Sequence, residues 1–143
     1  MSAPGERENR CWVCGPDHPE GLHVVWHLGR PVTAQLVVPA RYQGFTGVAH
    51  GGTIAAILDD AMWHAVWQET EGDAATVELT VRYRHPVMVG VPMVVEGWAW
   101  RSAHRVVAAR ATLAQVDGPV MAEARGRFLP GASVHRAIRP ETP

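Results

Sequence analysis

The stretch Tyr42–Asp60 reads YQGFTGVAHGGTIAAILDD. Turn-forming residues over 39–48 lead to His50-Gly51-Gly52-Thr53, and an apolar run follows. This pattern predicts a helix from residue 53 to about residue 68, ended by Gly72-Asp73. At about 100° per residue, Ile54, Ala56, Ile57, Leu58, Met62, Trp63, Val66 and Trp67 spread over nearly the whole circumference. A helix apolar on all sides is expected to be buried on all sides.

The rest of the chain reads as strands. Residues 21–28 and 33–38 form two, joined by Gly29-Arg30-Pro31. Residues 75–85 alternate, with Val77, Leu79, Val81 and Tyr83 on one face and Glu78, Thr80, Arg82 and Arg84 on the other. Residues 92–101, 105–116 and 120–129 add three more, separated by Gly90, Ser102-Ala103-His104 and Asp117-Gly118-Pro119. Short turns between successive strands imply antiparallel pairing. The expected fold is α+β, a long central helix wrapped by a five- to six-stranded antiparallel sheet. One open sheet leaves an apolar side of such a helix uncovered, and a partner subunit is the economical cover.

Bulk composition narrows the class. A length of 143 residues favours one domain, with 47% hydrophobic and 19% charged residues as in an ordinary globular protein. The expected organisation is a loose polar segment over residues 1–10, one domain over 11–130 and a tail over 131–143. A net charge of -1 gives no electrostatic footprint for nucleic acid or an anionic membrane. No apolar run is long enough to span a bilayer and the N-terminus has no apolar signal core, so a cytoplasmic location is expected.

Chemistry concentrates at the helix. Gly51 and Gly52 let a ligand approach the backbone, and the first N–H groups of a helix have no intrahelical partner. With the helix dipole they suit a developing oxyanion. A tight turn with Thr53 as the helix cap accounts for the same residues. Asp59 shifts the balance, because a carboxylate on a buried helix is costly unless paired or used. Asp60 lies about 100° away and faces different surroundings, which leaves room for one of the two acids to be structural, bonded to a backbone N–H or an arginine. Gly51 and Asp59 are eight residues apart, or roughly 12 Å along a helix. One carbonyl group cannot hydrogen-bond near both, so two helices packed antiparallel about a two-fold are expected to share two sites.

These residues carry a family resemblance. The segment GFTGVAHGGTIAAILDD followed by TVELTVRYRHPV resembles the hotdog-fold acyl-CoA thioesterases, in particular the phenylacetate-pathway (PaaI-like) group, over roughly residues 11–130. The family's N-terminal C-x-x-C-G is matched by Cys11-Trp12-Val13-Cys14-Gly15, and its N-P-x-G-L by His18-Pro19-Glu20-Gly21-Leu22. The resemblance implies hydrolysis of a coenzyme A thioester, with no cofactor, in a homodimer or homotetramer. It implies Asp59 as general base or nucleophile, the Gly51 N–H as oxyanion donor, Thr76 as the hydroxyl that helps hold water, and His50 as a residue that positions the turn or contacts the carbonyl region. Read from the residues rather than the resemblance, Gly52 is a substrate contact at the open turn and Trp63 one in an acyl pocket. Where several relatives carry an asparagine about six residues before the HGG histidine, this chain has Gly44, with Gln43 beside it.

Other signals are weaker. Cys11 and Cys14 with His18 and His23 have the look of a metal site, but no second C-x-x-C follows and His23 falls in an expected strand, so no metal is assigned. His64 lies five residues past Asp59, not at metal-motif spacing. His85 and His104 sit at strand ends. Arg82, Arg84, Arg101, Arg105 and Arg110 read as solvated faces that suit the phosphates of coenzyme A. The pairs Trp63/Trp67 and Trp98/Trp100 each share a face and read as an acyl pocket or as core. A non-catalytic acyl-CoA or small-ligand binder is the alternative function. A hotdog hydratase is set aside, because no Asp and His pair opens the helix.

Overall fold

The computed structural model describes residues 8–102 and 105–131. Strands β1 (Val32–Val37), β2 (Ala74–Tyr83), β3 (Pro92–Arg101), β4 (Val107–Gln115) and β5 (Val120–Pro130) form one antiparallel sheet in the order β1-β3-β4-β5-β2. The single long helix, α1 (Gly51–Thr70), lies across the concave side of this sheet, chiefly over β3 and β4. This is the hotdog arrangement.

The periodicities explain which faces meet. In β4, Val107, Ala109, Ala111 and Leu113 alternate inward and are 3% exposed or less. They meet Ile54, Ile57, Leu58, Met62 and Val66 of α1, all fully buried. Each of these large side chains contributes roughly 1.5–3 kcal/mol through the apolar surface it removes from water. The helix presses closest at Gly97, where a Cβ would stand 2.7 Å from the carbonyl oxygen of Ala61. Both partners are backbone, so neither yields easily. Gly97→Ala is expected to destabilise the protein by about 1–3 kcal/mol, read as a lower Tm.

Several expectations need correction. Residues 21–28 are not a strand. His23 adopts a left-handed φ of 52°, which interrupts the extended alternation, and only an isolated bridge pairs His27 with Thr33. The segment instead runs beside residues 11–14, with Leu22 N–H and Val24 N–H donating to the Trp12 and Val13 carbonyls. The helix is not buried on all sides within one chain. Gly51, Gly52 and Trp67 are exposed, and Ala55, Ala56 and Asp59 are half-buried. The sheet curls over only one side of α1.

Trp98 and Trp100 share a face, as expected, but it is the outer one, opposite buried Met93, Val95 and Gly97. Trp98 lies under the Arg110 guanidinium, 4.3 Å from the ring centre, and Trp100 is largely exposed. Neither tryptophan is core. The five arginines from Arg82 to Arg110 are exposed, as read from the sequence. His104 and most of the two expected loose ends lie outside the described residues. No helix among the described residues is long and apolar enough to cross a membrane.

Candidate active site

The start of α1 is built by His50 rather than Thr53. His50 has an extended φ/ψ of -59°/135°, its carbonyl accepts from Thr53 and Ile54, and its Nδ1 accepts the Gly52 N–H at 2.8 Å. The imidazole is therefore the helix cap, with Nδ1 unprotonated. Gly52 keeps this geometry open, since a Cβ there would stand 3.0 Å from Nδ1. Thr53 is buried, with its hydroxyl 3.4 Å from the Tyr42 carbonyl. The cap uses the Gly52 N–H and leaves the neighbouring one. The Gly51 N–H has no hydrogen-bond partner among the described residues, and Gly51 is exposed at the positive end of the helix.

The loop before the helix is organised around His50. Gly44 packs on it, 3.3 Å from a would-be Cβ to the His50 Cα, so a larger residue there displaces the cap. The Gln43 side-chain oxygen accepts the Gly47 N–H at 2.9 Å, which commits it to the loop and leaves only its amide NH₂ for a ligand.

Two turns along α1, Asp59 is met by β2. The Thr76 hydroxyl donates to Asp59 Oδ1 at 2.8 Å. Strict alternation puts Thr76 on the face of Glu78 and Thr80, away from the helix. A β-bulge between Thr76 and Glu78 reverses this: Thr76 pairs with buried Phe128, whereas Glu78 pairs with exposed Arg127. The extra residue, Val77, turns the hydroxyl onto Asp59. Burial raises the Asp59 carboxyl above the ordinary aspartate range, the Thr76 hydrogen bond opposes this, and the charge of Asp60 adds to it.

Asp60 faces the other way, and its partners are neither a backbone N–H nor an arginine. Oδ2 accepts the Trp26 indole N–H at 2.7 Å and lies 3.5 Å from His64 Nε2. Burial pushes this carboxyl up, but His64, the Cys14 thiol and Trp26 together hold it below the usual range. The two neighbouring acids are thus driven in opposite directions.

Tyr83 is a residue that sequence reasoning left out of the site. Its hydroxyl donates to the Gly51 carbonyl at 2.6 Å and ties the end of β2 to the start of α1. The signal was present: Tyr83 ends the Leu79/Val81 face of a strand that runs antiparallel to the helix. Trp63, one turn beyond Asp59, donates its indole N–H to the Ala74 carbonyl at 2.9 Å. With Trp26, Trp67 and Val24 it lines an open cavity of about 500 Å³. The structure brings Asp59 and Thr76 together, and His50 with Gly52 and Gly44. It leaves Gly51 and Asp59 two helical turns apart.

The fold and this helix define a hotdog protein. The model of the thioesterase superfamily matches residues 46–122, more than half of the chain, and the protein belongs to that superfamily. A solved structure of a thioesterase superfamily protein is similar with a TM-score of 0.76 and 26% identity, covering 85% of this chain and 63% of that one. This chain therefore spans less than two thirds of that relative. The PaaI protein of the E. coli phenylacetic acid degradation operon shares the fold (TM-score 0.69, 14% identity, 78% of this chain and 81% of that one). So does a Streptococcus mutans protein bound to acetyl CoA (TM-score 0.67, 19% identity, 76% and 86%). No curated protein matches the chain.

Proposed function

We propose that the protein hydrolyses the thioester of an acyl- or aryl-acyl-CoA to the free acid and coenzyme A. The observation that carries this reading is the paired environment of Asp59: a half-buried carboxylate with a raised pKa, held by one hydroxyl at a single oxygen. Oδ2 is then the oxygen that takes a proton from water. The water oxygen adds to the thioester carbon, and the oxyanion forms on the carbonyl oxygen at a Gly51 N–H. The C–S bond breaks, the proton on Asp59 passes to the leaving thiolate, and the acid is released. His50 acts by holding the turn that aims this N–H. A CoA thioester fits the superfamily membership and the acetyl CoA held by the Streptococcus mutans neighbour.

The two groups that one carbonyl must meet are about 12 Å apart on one helix. We infer that a second copy supplies the missing one, making a homodimer or a dimer of dimers with two shared sites. Three observations support this. The Ala55, Ala56 and Asp59 side of α1 is incompletely covered. β2 is a ten-residue edge strand, open to pairing with its own copy. Phe45 in the loop before α1, and Val77 and Tyr83 on β2, are 88%, 56% and 52% exposed. The acyl group then runs from Asp59 toward Trp63, one turn further along.

Release of free thiol from phenylacetyl-, benzoyl- and hexanoyl-CoA tests the reading. Turnover of at least one above its spontaneous rate is expected; binding of all three without thiol release contradicts it. Thr76→Val removes the hydrogen bond that favours ionised Asp59. It is expected to move the acid limb of the pH–rate profile to higher pH and to lower kcat/KM about tenfold near neutrality. A pH profile that stays in place would separate Thr76 from Asp59.

A further inference from the structure

Proposed hydrolysis leaves one cluster unused, where the N-terminal segment meets α1 at Asp60. Residues 11–15 form a tight turn, closed by the Gly15 N–H donating to the Cys11 carbonyl at 2.7 Å. Gly15 is obligatory there, since a Cβ would lie 2.5 Å from the Asn9 oxygen and the Cys11 nitrogen. The turn presents both thiols to α1. Cys11 Sγ is 3.8 Å from Asp60 Oδ1, and Cys11 Sγ, Cys14 Sγ and an Asp60 oxygen all lie within 4.8 Å of one another. The carboxylate is oriented from its other oxygen by the Trp26 N–H at 2.7 Å. His64 Nε2, 3.5 Å from that oxygen, is buried and makes no hydrogen bond.

As protonated thiols the cysteines offer the carboxylate only weak hydrogen bonds, as Cys11 Sγ does at 3.8 Å from Oδ1. Once the thiols ionise, the three form a half-buried cluster of anions, which is costly without a cation. As a ligand set they are well matched. Zinc takes sulfur at about 2.3 Å and carboxylate oxygen at about 2.0–2.2 Å, which places two tetrahedral ligands about 3.6 Å apart. The 3.8 Å between Cys11 Sγ and Asp60 Oδ1 is close to that edge. Counted from Asp60 rather than Asp59, His64 is four residues on, the spacing at which two helical side chains reach one ion. His18 and His23, which the sequence offered as partners of the cysteines, are used locally instead: His18 Nδ1 accepts the Glu20 N–H at 3.1 Å, and His23 Nε2 lies 2.6 Å from the His18 carbonyl oxygen.

We propose that Cys11, Cys14 and Asp60, with His64 Nε2 drawn in as the fourth donor, bind zinc. The ion ties the N-terminal segment to α1. Four protein donors leave no open position, so the site is structural, and it lies about 100° around the helix from Asp59. Loading releases the thiol protons to solvent, and no redox partner is needed.

Cobalt(II) titration of the reduced 143-residue chain reads the ligands directly. Equimolar binding is expected, with a thiolate-to-cobalt charge-transfer band in the near ultraviolet, intense tetrahedral visible bands, and displacement of both by zinc. Cys14→Ser is expected to bind at least about tenfold more weakly. A reading that needs no variant comes from alkylation. The chain has only two cysteines, so mass spectrometry is expected to show two adducts on metal-free protein and none after zinc loading. Cobalt bound without a charge-transfer band, thiols that alkylate equally with and without zinc, or no equimolar binding of either metal would overturn the proposal.

Discussion

Asp59→Asn is expected to lower thioester hydrolysis by about 10²–10⁴-fold and, at neutral pH, to raise the Tm. The first effect follows from removing the group that accepts the proton of water. The second follows from linkage. Burial raises the Asp59 pKa in the folded chain, so the folded state holds this proton to higher pH than the unfolded state does. Ionising Asp59 therefore costs stability, and that cost builds as pH rises from the ordinary aspartate range through the raised pKa. Asparagine keeps an oxygen for the Thr76 hydroxyl and carries no charge to bury. The gain in Tm is expected at neutral pH and should vanish in acid, where Asp59 is neutral too. Thermal melts at the two pH values, beside thiol-release kinetics, check both parts. A variant that is inactive and also less stable at neutral pH would point to a structural role.

Gly51→Pro carries the second large effect. Proline is favoured at the first position of a helix, where the missing N–H has no intrahelical partner. His50 already has the extended φ/ψ of -59°/135° that a following proline requires. The His50 cap bonds the next N–H, that of Gly52, and is retained. The substitution deletes one N–H and is expected to leave the fold intact. If that N–H holds the oxyanion, kcat falls about 10²–10³-fold with little change in Tm. Gly51→Ala is the companion variant. Its Cβ would lie 3.5 Å from the Tyr83 hydroxyl, an ordinary contact, and its N–H remains. Activity near wild type for alanine and lost for proline assigns the effect to the N–H. An equal fall in both assigns it to close approach of the substrate.

Much of the fold was legible in the sequence because its signals are local. The alternation in residues 75–85, the turn residues that delimit residues 92–101 and the long apolar helix are each read from spacing alone, and the structure places β3 over residues 92–101. The misreadings arise where one residue overrides a pattern. His23 in a left-handed conformation turns an alternating run away from the sheet. Val77, as the extra residue of a bulge, moves Thr76 to the face that alternation denies it. His50 displaces Thr53 as the cap, because an imidazole nitrogen reaches an N–H that a hydroxyl ordinarily takes. The opposed roles of Asp59 and Asp60 were legible as a 100° difference in direction. The partners of Asp60 were not, because Cys11 and Trp26 reach it from 49 and 34 residues away.

Gly51 and Asp59 lie two helical turns apart, and hybrid dimers decide whether one site draws them from two chains. Gly51→Pro and Asp59→Asn chains, given different affinity tags, are co-expressed and the hybrid is isolated through both tags. In a hybrid, one shared site combines both defects. The other combines the Gly51 N–H of the Asp59→Asn chain with Asp59 of the Gly51→Pro chain. Thiol release is expected to recover to as much as about half of the wild-type rate. A hybrid no more active than either parent would contradict a site built from two chains.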